Sequence, residues 1–216
     1  MFIKKIYRKI TNLFTPNKNK KREKYIKKIR SKNNNYTPSI IASNCNGTFM
    51  LHDLGLKFNT PFINLWIKPD DFIKLLKNFD SYINSELTET FEQNIKYPIG
   101  KLNDINIYFQ HYDSFEHAKT KWNERKKRIN YNNLFVLFTD RDGCTEENLI
   151  EFDKLDYRSK VVFVNKKYQN IKSAYYIKGF ENDISVGICS NFMPKKQWKR
   201  YYDQFNYVKW LNREKF

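Results

Sequence analysis

At 216 residues the chain has room for one domain that buries about 70% of its unfolded surface, together with an appendage. Its 18 Phe, 15 Tyr and 4 Trp against six Gly and six Pro point to a packed domain rather than a disordered chain. The formal charge of +17 is uneven: residues 1–35 hold 13 Lys/Arg against one Glu, a net of +12, and the other 181 carry +5.

Three cysteines, Cys45, Cys144 and Cys189, have neither CxxC spacing nor an even count. A disulfide framework and a thiolate metal site are therefore not indicated, and a reducing compartment fits. The longest apolar runs fall well short of the ~20 residues that span a bilayer. Lysines interrupt the N-terminus every few residues, unlike a signal peptide, so the expected location is cytoplasmic.

In residues 1–14 the side chains of Phe2, Ile3, Ile6, Ile10, Leu13 and Phe14 fall near one helical face, with Lys4, Lys5, Arg8 and Lys9 on much of the other. Such a segment can lie peripherally on an anionic inner leaflet, or it can pack its apolar face on the body. Nucleic acid is not an expected partner, because no recognition module accompanies the charge. Residues 1–35 thus read as a basic, partly amphipathic arm, and residues 36–216 as a single α/β domain.

The domain opens with Ser39 to Gly55, SIIASNCNGTFMLHDLG, which reads as strand, tight turn and helix. TPFINLWI (60–67) reads as a buried strand, and Pro69-Asp70-Asp71 opens a helix whose stripe is Phe72, Leu75, Leu76 and Phe79. INIYFQHY (105–112) alternates as a strand, and Ser114 caps a cationic helix over 115–129. NLFVLFTD (133–140) is the strongest strand, followed by a Thr145-capped helix over 146–153 and a strand at SKVVFVN (159–165). AYYI (174–177) and an aromatic helix over 197–212 complete the pattern. Alternating buried strands and helices predict a three-layer α/β/α, Rossmann-like domain with a mostly parallel or mixed sheet.

In such sheets ligands bind beyond the carboxyl ends of the strands. Three chemistry-bearing residues close predicted strands: Cys45, His111 and Asp140. A thiol at a helix N-terminus gains nucleophilicity, with Asn44 and Asn46 as hydrogen-bond donors beside it. His111 would be the base and Asp140 its orienter. The competing readings are a cysteine that only fills a tight turn, a histidine bonded to backbone, and ordinary turn chemistry at Asp140-Arg141-Asp142-Gly143.

The assembled motifs resemble the bacterial exopolysaccharide-biosynthesis family catalogued as domain of unknown function 1919. The family's Ser-Asn-Asn-Cys-Trp-Gly-like turn corresponds to Ser43-Asn44-Cys45-Asn46-Gly47, which is shorter and lacks the Trp. The similarity continues through TPFINLWIKPDDFIKLLKN (60–78), His111-Tyr112, FTDRDGCTEE (138–147), VVFVNKKY (161–168), IKGFEN (177–182) and YVKWLN (207–212). The resemblance implies a place in surface-polysaccharide assembly; the leading expectation for the chain in that setting is a transferase acting on a sugar or polysaccharide intermediate. Acyl transfer from acyl-CoA is favoured, with Cys45, His111 and Asp140 catalytic and Ser43, Asn44, Asn46, Arg141 and Asp142 binding substrate. The turn also resembles, more loosely, the Asn-Cys turn of certain capsule acyltransferases. The alternatives are a glycosyltransferase in which Asp140 and Asp142 hold a divalent metal and a nucleotide sugar, and a non-catalytic scaffold.

Overall fold

The structure, a computed structural model, describes residues 17–215. The amphipathic segment expected over 1–14 lies outside the described residues. In chain order the elements are a helix over 17–30 (α1), β1 (Ser39–Ala42), α2 (Asn46–Leu54), α3 (Pro69–Lys77) and α4 (Phe79–Asn84). There follow β2 (Thr88–Thr90), β3 (Ile99–Leu102), β4 (Ile105–Tyr108), α5 (Phe115–Lys126) and β5 (Leu134–Thr139). The chain ends with α6 (Glu146–Lys154), β6 (Lys160–Val164), β7 (Ala174–Tyr176) and α7 (Tyr207–Leu211).

The main sheet has the order β1-β5-β6-β7, and each neighbouring pair is parallel. Its strands are apolar at successive positions because both faces are covered. Ile41, Val136, Phe138, Val162 and Val164 face one core with α3, α5 and α6. Ile40, Ala42, Phe135, Leu137, Val161 and Phe163 face a second core with α2, α7 and Ile29 of α1. The three-layer α/β expectation is met by this sheet sandwiched between two cores. The helix signals also hold: Ser114 Oγ accepts from His117 N–H at 3.2 Å, and Thr145 and Asn148 form a reciprocal cap on α6.

A second, antiparallel sheet of order β2-β3-β4 sits on the α3–α5 side. This corrects two expectations. The apolar run 60–67 is no strand, because Asn64 takes φ 58° and breaks it. Only Trp66 pairs, across to Tyr108 with reciprocal 2.9 Å hydrogen bonds, and the two rings stack at 4.0 Å. The strand of residues 105–112 ends at Tyr108 and belongs to the small sheet, outside the parallel one. The predicted 197–212 helix is likewise shorter: a 3-10 turn at Tyr201–Gln204 precedes α7.

The described part of the basic arm packs on the body. Arg22 of α1 is bonded to the carboxylates of Asp53 on α2 and Asp203 in the C-terminal segment. Tyr202 Oη donates to Asp53 at 2.5 Å, and Arg30 Nε donates to the Asp53 carbonyl at 2.7 Å. Burial works against the Arg22 charge, but Asp203 and Asp53 win and hold its guanidinium above the ordinary value. Burial raises the Asp203 carboxyl, with Arg22 pulling the other way. Residues 17–35 therefore belong with the domain, and the boundary expected at residue 35 falls inside packed structure.

Breaking a buried ion cluster from one side leaves the other charges unpaired, which costs about 3 kcal/mol or more. Arg22→Ala is expected to lower the unfolding free energy of the full chain, from urea melts at pH 7, by that amount. Lys27→Ala, an exposed site on the same helix, should stay within about 0.5 kcal/mol of the parent. Equal losses in the two variants would show that the bridge does not fasten α1.

Candidate functional site

β1 and β5 run parallel with Ala42 opposite Leu137, so the turns that follow them meet at one sheet edge. Ser43 continues the ladder: its N–H donates to the Leu137 carbonyl at 3.1 Å, and its carbonyl accepts from Ile67 N–H at 3.0 Å. Asn44 joins the two turns, with Nδ2 donating to Thr139 Oγ1 at 2.8 Å and Oδ1 accepting from Asn46 N–H at 3.2 Å. Asn46, buried, is the first residue of α2. Gly47 lets α2 approach β1 closely, since a Cβ there would sit 2.9 Å from Ala42 Cβ.

Cys45 occupies the N-cap of α2, and its carbonyl accepts from Phe49 N–H at 3.1 Å. Its half-buried Sγ contacts the Leu65 carbonyl at 3.7 Å. The expectation from position is an acidified thiol. Desolvation outweighs it: burial pushes the Cys45 thiol up to about 11, against the opposing pull of Arg141 and the Leu65 hydrogen bond. Burial drives Cys144 and Cys189 further, each to about 12.

Asp140 is buried, and both of its carboxylate oxygens accept from main-chain N–H groups, Oδ1 from Val186 at 2.7 Å and Oδ2 from Asn165 at 2.8 Å. Burial raises its pKa, with those two hydrogen bonds pulling the other way. It thus latches the end of β6 and the 186 loop to β5. Asp142 takes φ 61° and Gly143 φ 88°, a left-handed turn that sends Asp142 into solvent. Arg141 is half-buried, and its ion-pair contact among the described residues is a long 3.7 Å approach to Asp142. Asp140 and Asp142 form no metal-binding group with other His, Cys, Asp or Glu side chains among the described residues.

His111 lies exposed in the turn after β4, on the antiparallel sheet. Its expected place at the carboxyl edge of the parallel sheet is not met, because β4 pairs with β3 and Trp66 instead. The next residue is the one turned toward the crevice. Tyr112 Oη donates to the Ile63 carbonyl at 3.1 Å and accepts from Arg125 Nη1 at 2.6 Å. Burial raises the Tyr112 phenol, Arg125 opposes this, and the Cys45 charge lies close enough to add to the rise. Sequence reading gave Tyr112 and Arg125 no role: Tyr112 entered only as the neighbour of His111 in the family resemblance, and Arg125 is one cation in a basic helix. Around Cys45 the structure therefore gathers Asn44 and Asn46 on the same turn, and Arg141 and Tyr112 close enough to act electrostatically on the thiol or feel it, while Asp140 is a fastener engaged by backbone.

The family described as "Domain of unknown function (DUF1919)" matches residues 12–212. The match starts inside the expected arm and takes in α1, in keeping with the packing of that helix. An uncharacterised protein of Haemophilus influenzae is 46% identical over 198 residues, which cover 90% of this chain and 94% of the relative.

Two outcomes follow from the geometry. Alkylation of Cys45 by iodoacetamide, read by peptide mass spectrometry at pH 8.5, is expected to run about 100-fold slower than in urea, where the thiol titrates near its ordinary ~8.5. The rate should climb with pH toward 11, and Arg141→Ala should slow it further at any fixed pH. Labelling at the unfolded rate in native buffer would contradict the desolvated thiol. Asp140→Asn can satisfy only one of the two N–H donors and is expected to destabilise the fold by about 1–3 kcal/mol in urea melts. An unchanged midpoint would remove the latch.

Proposed function

The chain belongs to the DUF1919 family, and from that premise we propose that it is a surface-polysaccharide biosynthesis transferase whose sugar intermediate sits in the crevice beyond β1 and β5. The observation that carries this reading is the position of Cys45, half-buried at the N-cap of α2 with the Arg141 charge beside it. The helix N-terminus and the guanidinium together favour an anionic or electron-rich substrate group at the thiol.

Acyl transfer is the sharper form, with acyl-CoA as donor. Cys45 Sγ attacks the thioester carbonyl, the CoA thiol leaves with the proton of Cys45, and a sugar hydroxyl then takes the acyl group and returns a proton to Sγ. Asn44 Nδ2 gives one hydrogen to Thr139 and has a second for the oxyanion. His111 and Asp140 leave the catalytic set, the first because it lies exposed on the other sheet, the second because its carboxylate is engaged by backbone. Tyr112 lies near Cys45, its hydroxyl engaged as donor to the Ile63 carbonyl and as acceptor from Arg125, so it shapes the site rather than donating there.

Glycosyl transfer through a metal and a nucleotide sugar has less support, since the Asp140 oxygens are occupied and Asp142 points to solvent. A second reading, a non-catalytic module that binds the intermediate, draws on the protonated Cys45 thiol and the lack of a side-chain base in hydrogen-bond contact with it among the described residues. The basic N-terminal residues are the contact to an anionic inner leaflet in a cytoplasmic, peripheral protein. Among the described residues no helix is long and apolar enough to cross a membrane, so contact would be peripheral there.

The test is a thermal-shift and intact-mass screen of acyl-CoAs against nucleotide sugars with and without Mn²⁺. Binding restricted to the folded state adds about 2.7 kcal/mol of stability at a hundredfold excess over Kd. Acyl transfer requires stabilisation by an acyl-CoA and an acyl mass increment that Cys45→Ala removes. Stabilisation by a sugar intermediate with no increment selects the binding module. Stabilisation by nucleotide sugar only with Mn²⁺, unaffected by Cys45→Ala, would overturn the Cys45 reading.

A further inference from the structure

A cavity of about 1020 Å³ opens between α1 and the C-terminal segment, and none of Asn44, Cys45, Asn46, Tyr112 and Arg141 lines it. Its size is that of a small-molecule site. Lys21, Lys24, Lys28 and Lys32 line it from one side at helical spacing, and Lys199 and Lys209 line it from the other. None of these six has a carboxylate within 4.0 Å among the described residues. Like charges at i and i+4 repel on a helix, so this row is stabilised by whatever anion it meets. Two acids also line the cavity. Asp203 is neutralised by Arg22, and Glu214 accepts from Asn212 Nδ2 at 2.8 Å.

Three further features give the cavity a recognising surface. Tyr207, 1% exposed, is among the lining residues, and its buried hydroxyl has no hydrogen-bond partner among the described residues. An orphaned buried hydroxyl costs stability until a partner arrives. Tyr25 and Trp198 stand edge to face at 5.6 Å on its wall. Lys199 Nζ lies 5.2 Å from the Tyr25 ring centre and 5.4 Å from that of Trp198, a cation held over an aromatic floor.

We propose that this groove binds a phosphorylated ligand, its phosphate oxygens among the lysines, its organic part against Tyr25 and Trp198. Several ammonium groups around one cavity suit a phosphoryl or pyrophosphoryl group better than a single carboxylate, and lysine binds phosphate as a point charge. The same chemistry comes from a soluble nucleotide or pyrophosphate and from a phosphate headgroup at a membrane surface. The inference stands apart from the crevice reading: it needs no chemistry at Cys45 and survives if that fails.

The experiment titrates the full chain with inorganic pyrophosphate, with UDP, and with phosphatidylcholine vesicles lacking or containing phosphatidic acid, at about 0.1 M salt, where surface charge is screened beyond about 10 Å. Wild type is expected to bind pyrophosphate or UDP if the source is soluble, and only the phosphatidate vesicles if it is a headgroup. In either case K24E/K28E should weaken binding at least tenfold, and K24Q/K28Q should weaken it in the same direction. K101E/K127E, an equal charge change at exposed sites outside the cavity lining, should leave it within twofold. Where UDP binds, Trp198→Ala should weaken UDP more than pyrophosphate. Both lysines are exposed, so the variants should keep the wild-type melting temperature, and the melt is run alongside. Binding by none of the probes, or equal weakening in K24E/K28E and K101E/K127E, overturns the site.

Discussion

A parallel sheet presents two apolar faces to water, and this chain is arranged to cover both. One face takes α3, α5 and α6 with the small antiparallel sheet beneath α3, and the other takes α1, α2 and the C-terminal segment. The second cover is the more demanding, since its pieces come from opposite ends of the chain. Trp210 meets Phe135 at 5.0 Å and Phe205 meets Phe163 at 5.5 Å, so the last residues lie directly on the central strands. Ile29 reaches the same core from α1. Closing that layer requires a fastener between segments some 180 residues apart, and Arg22 supplies it between Asp53 and Asp203.

That fastener is ionic where the rest of the layer is apolar. Its charges are largely desolvated, and Asp203 has no exposed side-chain surface. Such a cluster adds little net stability compared with apolar packing but penalises any arrangement in which one member is missing. It therefore fixes α1 in register on α2 more than it strengthens the fold. The consequence for function is spatial: α1 carries its lysines outward along the seam between itself and the C-terminal segment, while α2 carries its N-terminus to the far end, at Cys45.

The parallel strands were legible in the sequence wherever burial on both faces left unbroken apolar runs, as at 133–140 and 159–165. The caps at Ser114 and Thr145 were legible because a side-chain oxygen meets an unpaired helix N–H at a fixed offset. The run 60–67 misled for the opposite reason. Phe62, Ile63, Leu65 and Ile67 are all buried, but in an irregular link that bends at Asn64, so burial alone mimics a strand there. His111 misled because alternation over 105–112 reveals a strand without revealing which sheet receives it. At the site, position located Cys45 and Asn44, but local sequence carries no measure of desolvation. The thiol pushed up to about 11 and the Asp140 carboxylate taken by two distant N–H groups arise from tertiary packing.

The basic arm shows how charge counting and packing divide the work. Thirteen cations in 35 residues marked a basic arm that could lie on a membrane or pack on the body. One of them, Arg22, is buried in an ion cluster, and Arg30 binds the Asp53 carbonyl, so these two act as structure. The lysines on the outer face of α1 have no such partners among the described residues, and it is they that give the seam its positive field. Ligand binding there would bridge α1 to Lys199 and Lys209 across the same interface that Arg22 closes from within. Occupancy and the ion cluster would then stabilise the same docked state of α1, and by linkage an anion in the groove would strengthen the attachment of the helix that Arg22 fastens.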